Sequence, residues 1–146
     1  IRTFNWNGLQ AGGSALTLTA ASHAGKLMLF DTAAGTTFTL PQATGTGNVY
    51  RFAISVVATS NSHIVKVANA TDVIQGIIFV ASTTSDNAEV FQSTATSDTI
   101  TLNRTTTGSV IRGEYIEIAD VATGVFICHG FTSATGTEAT PFSAAV

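Results

Sequence analysis

Tyr50-Arg51-Phe52-Ala53-Ile54-Ser55-Val56 alternates: the even positions are all apolar and two of the three odd positions are polar. A period of two sends successive side chains to opposite faces of an extended chain, so this stretch predicts a strand with one face in a core. Thr99-Ile100-Thr101-Leu102 repeats the pattern with threonine on the outer face. Glu114-Tyr115-Ile116-Glu117-Ile118 points Ile116 and Ile118 inward and Tyr115 and Glu117 outward.

Working outward from these three, strands are predicted at 15–20, 26–31, 37–40, 49–57, 63–67, 73–81, 88–92, 99–102, 114–118 and 125–131. Turn residues fill the gaps: Ala33-Ala34-Gly35, Thr44-Gly45-Thr46-Gly47-Asn48, Ser60-Asn61-Ser62, Asp86-Asn87 and Ala122-Thr123-Gly124. No window of a dozen residues has a 3.6-residue period built from helix formers. Short strands at regular spacing without helices predict an all-β, antiparallel sandwich of jelly-roll-like type, with an immunoglobulin-like topology left open. The 146 residues fit one domain. Both ends read as extended arms: 1–13 holds Phe4 and Trp6 before Gly12-Gly13, and 133–146 holds Pro141, which a regular central strand excludes. The sandwich itself occupies 14–132.

Thr, Ser, Ala and Gly make up 71 of the 146 residues, Thr alone 25, while charged residues supply only 10%. A soluble domain carries about a quarter. Lys, Glu and Asp are the residues depleted at interface centres because each must shed tightly held water, and here they are scarce everywhere. Sheet edges are ordinarily protected by Lys and Pro. Only Lys26 and Lys66, Pro41 and Pro141 are available, so a homo-oligomer that covers the edges is expected. Six scattered basic residues and a net charge of −3 exclude the basic stripe that nucleic-acid backbones require. The longest apolar run, Ile77-Ile78-Phe79-Val80-Ala81, falls far short of the ~20 residues of a spanning helix, so no membrane partner is expected. Cys128 is the only cysteine, which precludes an intramolecular disulfide, and residues 1–20 show no signal-peptide pattern. Synthesis in a reducing cytoplasm is the expectation.

The candidate chemistry is sparse. His23, His63 and His129 have no ligand partners at metal-site spacing, and Cys128 and His129, adjacent on a strand, point to opposite faces. Glu114 and Glu117 are likewise divided between faces, so they do not form a carboxylate pair across a cleft. Asp31, Asp72, Asp86, Asp98 and Asp120 sit at strand ends or turns, where Asp binds backbone N–H groups. There is no Gly-x-Ser-x-Gly elbow, and Gly45-Thr46-Gly47 lacks the lysine and helix of a phosphate loop. Neither catalysis nor a cofactor is expected.

Phe30-Asp31-Thr32-Ala33-Ala34-Gly35-Thr36-Thr37-Phe38-Thr39-Leu40-Pro41-Gln42-Ala43-Thr44-Gly45-Thr46-Gly47 resembles a strand-and-turn segment common in tailed-bacteriophage virion proteins. The run from Thr59 to Asp72, and Gly113 to Phe126, are similar to the same group, and together these cover about residues 26–142. The family resembled is that of head decoration (capsid cement) proteins. The resemblance implies a structural virion protein on the outer surface of the phage head, made in the host cytoplasm. It would be trimeric, bound to the major capsid protein and able to stiffen the shell, and the resemblance makes Phe4, Trp6, Pro141 and Phe142 of the two arms the candidate partner contacts, since aromatic anchors concentrate interface energy. Two other readings stay open: a trimeric tail-fibre or spike receptor-binding domain using Tyr50 or Tyr115 to stack on sugars, and a small carbohydrate-binding or hydrolytic β-sandwich.

Overall fold

The computed structural model describes residues 8–146. Twelve strands form two sheets: β1 (Leu9–Ala11), β2 (Ala15–Thr17), β3 (Leu27–Phe30), β4 (Thr37–Thr39), β5 (Val49–Ile54), β6 (His63–Lys66), β7 (Val73–Ser82), β8 (Ala88–Gln92), β9 (Thr99–Leu102), β10 (Tyr115–Ala122), β11 (Val125–Ala134) and β12 (Phe142–Ser143). The large sheet runs β1-β3-β5-β10-β11-β7-β8 and the small one β12-β9-β6-β4-β2. A single helical turn, α1 (Ala20–His23), interrupts them, with the Thr19 hydroxyl accepting from the Ser22 N–H at its start. The all-β class is as the sequence predicts, and every predicted strand has a counterpart.

Strand direction corrects the antiparallel expectation, because both sheets are mixed. From β1 to β6 the chain changes sheet at each step, so β1, β3 and β5 stack in parallel in one sheet and β2, β4 and β6 stack in parallel in the other. Parallel neighbours need a long crossover, which is usually a helix. Here the strand in the opposite sheet serves as the crossover, giving solenoid-like rungs. The later strands close this stack: β10 and β9 pair antiparallel with β5 and β6, and β7 lies parallel to β11.

The β7–β11 pairing brings Gly76 opposite Cys128. A Cβ at Gly76 would fall 1.8 Å from the Cys128 carbonyl oxygen, so only glycine permits this approach. Gly12 does similar work between β1 and β2, where a Cβ would meet the Phe38 ring at 2.6 Å.

Core side chains come from the inward parity of both sheets. Phe30 and Phe52 from the large sheet meet Phe38 from the small one, with ring centroids 5.2 and 5.1 Å from Phe38 respectively. His63 joins this group, 4.8 Å from Phe30 and fully buried. Its Nδ1 accepts from the Thr36 N–H at 3.0 Å and its Nε2–H donates to the Val56 carbonyl at 2.9 Å. Those partners define the neutral tautomer, and burial lowers the imidazole pKa.

The ends belong to this body where they are described. The expected N-terminal arm contributes β1, while the expected C-terminal arm begins inside β11 and ends in β12. Edge strands β1, β2 and β12 are only two or three residues long. Short edges are themselves a protection against edge-to-edge pairing, so the structure weakens the edge-based reason for oligomerisation given above at three of the four edges and leaves it at the five-residue β8.

Candidate functional site

The two sheets differ sharply on their outer faces. In the small sheet the outward row is Thr17-Thr39-Lys66-Thr99-Ser143, hydroxyl-rich as the composition predicts, although Thr99 is buried with its hydroxyl donating to Asp98. In the large sheet register aligns two continuous rows across all seven strands. One is Ala11-Leu29-Ala53-Tyr115-Phe131-Phe79-Val90 and the other Leu9-Leu27-Arg51-Glu117-His129-Ile77-Gln92. Phe131 is 62% exposed, and Ile77, Phe79, Val90 and Ile127 around it are exposed as well. Phe79 and Phe131, direct partners on parallel strands, stack at 5.5 Å with 17° between the ring planes. Contiguous apolar patches of this kind are uncommon on monomers and mark interaction surfaces.

The charges on that face form a closed group at its centre. Arg51 Nε lies 3.0 Å from Glu117 Oε2, and His129 Nε2 lies 3.4 Å from Glu117 Oε1. The Tyr115 hydroxyl donates to Glu117 Oε2 at 3.1 Å. Burial and the Glu117 carboxylate together push the Tyr115 phenol up to about 12, so it stays a hydrogen-bond donor at any physiological pH. One carboxylate thus satisfies two cross-strand neighbours, Arg51 and His129, and Tyr115 on its own strand. This arrangement lets a face carry polar residues and still be removed from water at modest cost.

The remaining acidic residues are largely internal. Asp72, Asp98, Glu114 and Asp120 are buried, and each accepts backbone N–H groups from a distant segment. Asp120 takes those of Thr44, Gly45 and Thr46. Asp72 takes that of Ala43, and Asp98 takes those of Ala145 and Val146. Glu114 takes those of Ser109 and Ser133, each at 2.6 Å. The turn-capping role read for Asp72, Asp98 and Asp120 is what the structure displays. Asp31 does the same for the Gly13 N–H. Glu114 was not read that way. Its inward parity with Ile116 and Ile118 was the available signal.

Each sequence candidate has a definite place, apart from Phe4 and Trp6, which lie outside the described residues. Pro141 and Phe142 are buried, and Phe142 sits in the core row with Val65 and Ile100, facing into its own domain. Tyr50, expected to be open for sugar stacking, is instead a fully buried core residue. Cys128 is buried and His129 exposed, on opposite faces as their adjacency requires. Burial pushes the Cys128 thiol up to about 12, which leaves it un-ionised. Among the described residues no three His, Cys, Asp or Glu side chains gather as a metal site, and no helix there is long and apolar enough to cross a membrane. A shallow cleft of about 520 Å³ on the small-sheet side is lined by Ser14, Ala34, Gly35, Thr37, Asn61, Ser62 and Ile64, without a charged group.

Sequence reasoning missed the apolar outer face, although its signal was present. β3 (Leu27-Met28-Leu29-Phe30) and β11 (Val125-Phe126-Ile127-Cys128) are apolar at both parities, the pattern of strands covered on two sides. Comparison with protein-family models, with curated proteins and with solved structures finds no match for this chain.

Proposed function

We propose that this chain is a structural virion protein: a decoration protein that binds the outside of a phage head as a homo-oligomer, contacts the major capsid protein and stabilises the shell. The strand-and-turn resemblance across residues 26–142 supports the family, and the disposal of charge carries the reading. Of nine acidic residues four are buried within the domain, and a fifth, Glu117, is neutralised by its neighbours. The outer sheet faces are thereby left mostly hydroxyl on one sheet, with Lys66 among it, and mostly hydrocarbon on the other, surfaces that shed water against protein at less cost than charged ones. Several weak contacts made at once by a symmetric oligomer would add avidity on a repetitive shell.

A receptor-facing domain of a tail fibre or spike is the second reading, favoured by the neutral hydroxyl- and amide-lined cleft, whose chemistry suits a sugar. Co-sedimentation with empty, expanded phage shells tests the first reading. Saturable retention on shells is expected. No retention at any input ratio, together with binding on a glycan array, would transfer the assignment to the second.

A further inference from the structure

We infer that the outer face of the seven-stranded sheet is where copies of this chain pack on one another, each presenting the same face. Resting on the assembly reading above, this names the occupant of the surface: a second copy.

Three observations converge on that partner. Apolar side chains reach from Leu9 on β1 to Val90 on β8, around the central Arg51–Glu117–His129 group, with Phe131 the most prominent side chain near the middle. Its charges cancel internally, since Arg51 and His129 both lie against Glu117. A strongly basic or acidic partner would therefore find no counter-charge, whereas an identical neutral face brings no like-charge repulsion. The area is also sufficient. Seven strands about 4.8 Å apart, three of them eight to ten residues long at about 3.3 Å per residue, give roughly 600 Å² of flat face. Two such faces exceed the roughly 1,000 Å² that a specific interface needs. Edge pairing is the rival geometry; the two- and three-residue edges β1, β2 and β12 offer it little backbone, and only the five-residue β8 offers a longer edge.

The test is sedimentation equilibrium of the full chain, wild type against Phe131→Lys and, separately, Ile127→Lys, with Thr101→Lys on the hydroxyl face as control. Circular dichroism verifies folding of each. All these positions point away from the core, and two face variants in different rows guard against one misfolding. Wild type and control are expected at a multiple of 15.0 kDa, with both face variants dissociating at protein concentrations about 30-fold higher or more. A wild-type chain that stays at 15.0 kDa up to its solubility limit overturns the inference. So does a folded pair of face variants that retain the wild-type mass. Shell co-sedimentation is scored separately: an oligomer that ignores shells removes the decoration reading and leaves this interface standing, and a monomer that binds shells does the reverse.

Discussion

Asp120→Asn isolates the device that holds this domain together. The Asp120 carboxylate is 3% exposed and receives the Gly45 N–H at 2.7 Å, the Thr46 hydroxyl at 2.7 Å, the Thr46 N–H at 3.2 Å and the Thr44 N–H at 3.1 Å. It thereby ties the 44–46 turn, between β4 and β5 in the solenoid-like half, to β10 in the closing half. Asparagine keeps the shape and one acceptor oxygen, but turns an –NH₂ towards donors. At least the two Thr46 bonds to Oδ2 are lost, and bonds to a charged acceptor are worth about 1.5–3 kcal/mol each. Allowing the Thr46 hydroxyl to rotate and accept from the new amide, the net loss is about 3 kcal/mol. For a chain of this length that lowers Tm by about 10 °C. Thermal unfolding followed by circular dichroism at pH 7 reads it directly. Acidification supplies a second check. Burial raises the Asp120 pKa, but the Thr46 hydroxyl and the backbone N–H groups outweigh it and hold the carboxyl below its usual value of 3.8. A depressed pKa contributes stability that is complete above the unfolded value and lost as pH falls through the folded one. The gap between wild type and variant should therefore close below about pH 4. A variant within 2 °C of wild type at pH 7, allowing about 1 °C of scatter, would refute the tie. A gap that persists unchanged in acid would refute its ionic character.

Glu114 has the opposite sign: burial pushes its carboxyl up to about 7 from 4.5, despite the N–H donors of Ser133, Ser109 and Val110. Its contribution is present below the unfolded value and fades as pH rises through 7, by up to about 3 kcal/mol. The urea midpoint of Glu114→Gln should thus gain on that of wild type between pH 5 and pH 8. A constant difference would show that the carboxyl ionises as freely in the fold as outside it. Phe142→Ala should lower Tm by roughly 10 °C, from the ~3 kcal/mol loss of a buried ring, while the folded fraction keeps its affinity for shells. Unchanged Tm with weakened shell binding would instead make Phe142 an outward anchor.

Much of this architecture is legible in local pattern, and what escapes it is non-local. Alternation at Tyr50–Ile54 and turn residues such as Asn61 and Asn87 locate strands because parity and turn chemistry are properties of a few adjacent residues. β8 and β9 even begin and end where the pattern does. β1 is only three residues long, too short for alternation to register, and it exists because the β3 edge offers it hydrogen bonds. β12 was masked by Pro141, which lies just outside it and so leaves its ladder intact. Pairing direction was read wrongly for a deeper reason. Alternation specifies which side chains share a face but says nothing about which strand lies alongside, and the strand crossovers between β1 and β6 carry no helical signature. The role of Glu114 depends on Ser109 and Ser133, the latter nineteen residues away in sequence, which meet it only in the folded chain.

The contrast between the two outer faces separates composition from topology. β1, β3 and β5 in one sheet and β2, β4 and β6 in the other are built by the same rungs, with parallel pairing on both sides. Parallel strands are ordinarily covered on two faces, so topology alone would treat both outer surfaces alike. They are not alike: the small sheet presents Thr17, Thr37 and Thr39 where the large sheet presents Leu9, Leu27 and Leu29. Threonine matches valine and isoleucine in preference for strands, so β-propensity does not demand hydrocarbon on the large sheet. Its hydroxyl allows an uncharged face to remain hydrated, and the chain uses it freely wherever that suffices. Phe79 and Phe131, stacked and open on a sheet that could have carried threonine, are therefore a feature of the residues chosen and not a by-product of building strands. Hydrocarbon placed outward on one sheet only, and there around a self-neutralised charge cluster, is what a surface meant for a partner requires, and it is the reason the proposed oligomer is assigned to the large sheet and not to the threonine face.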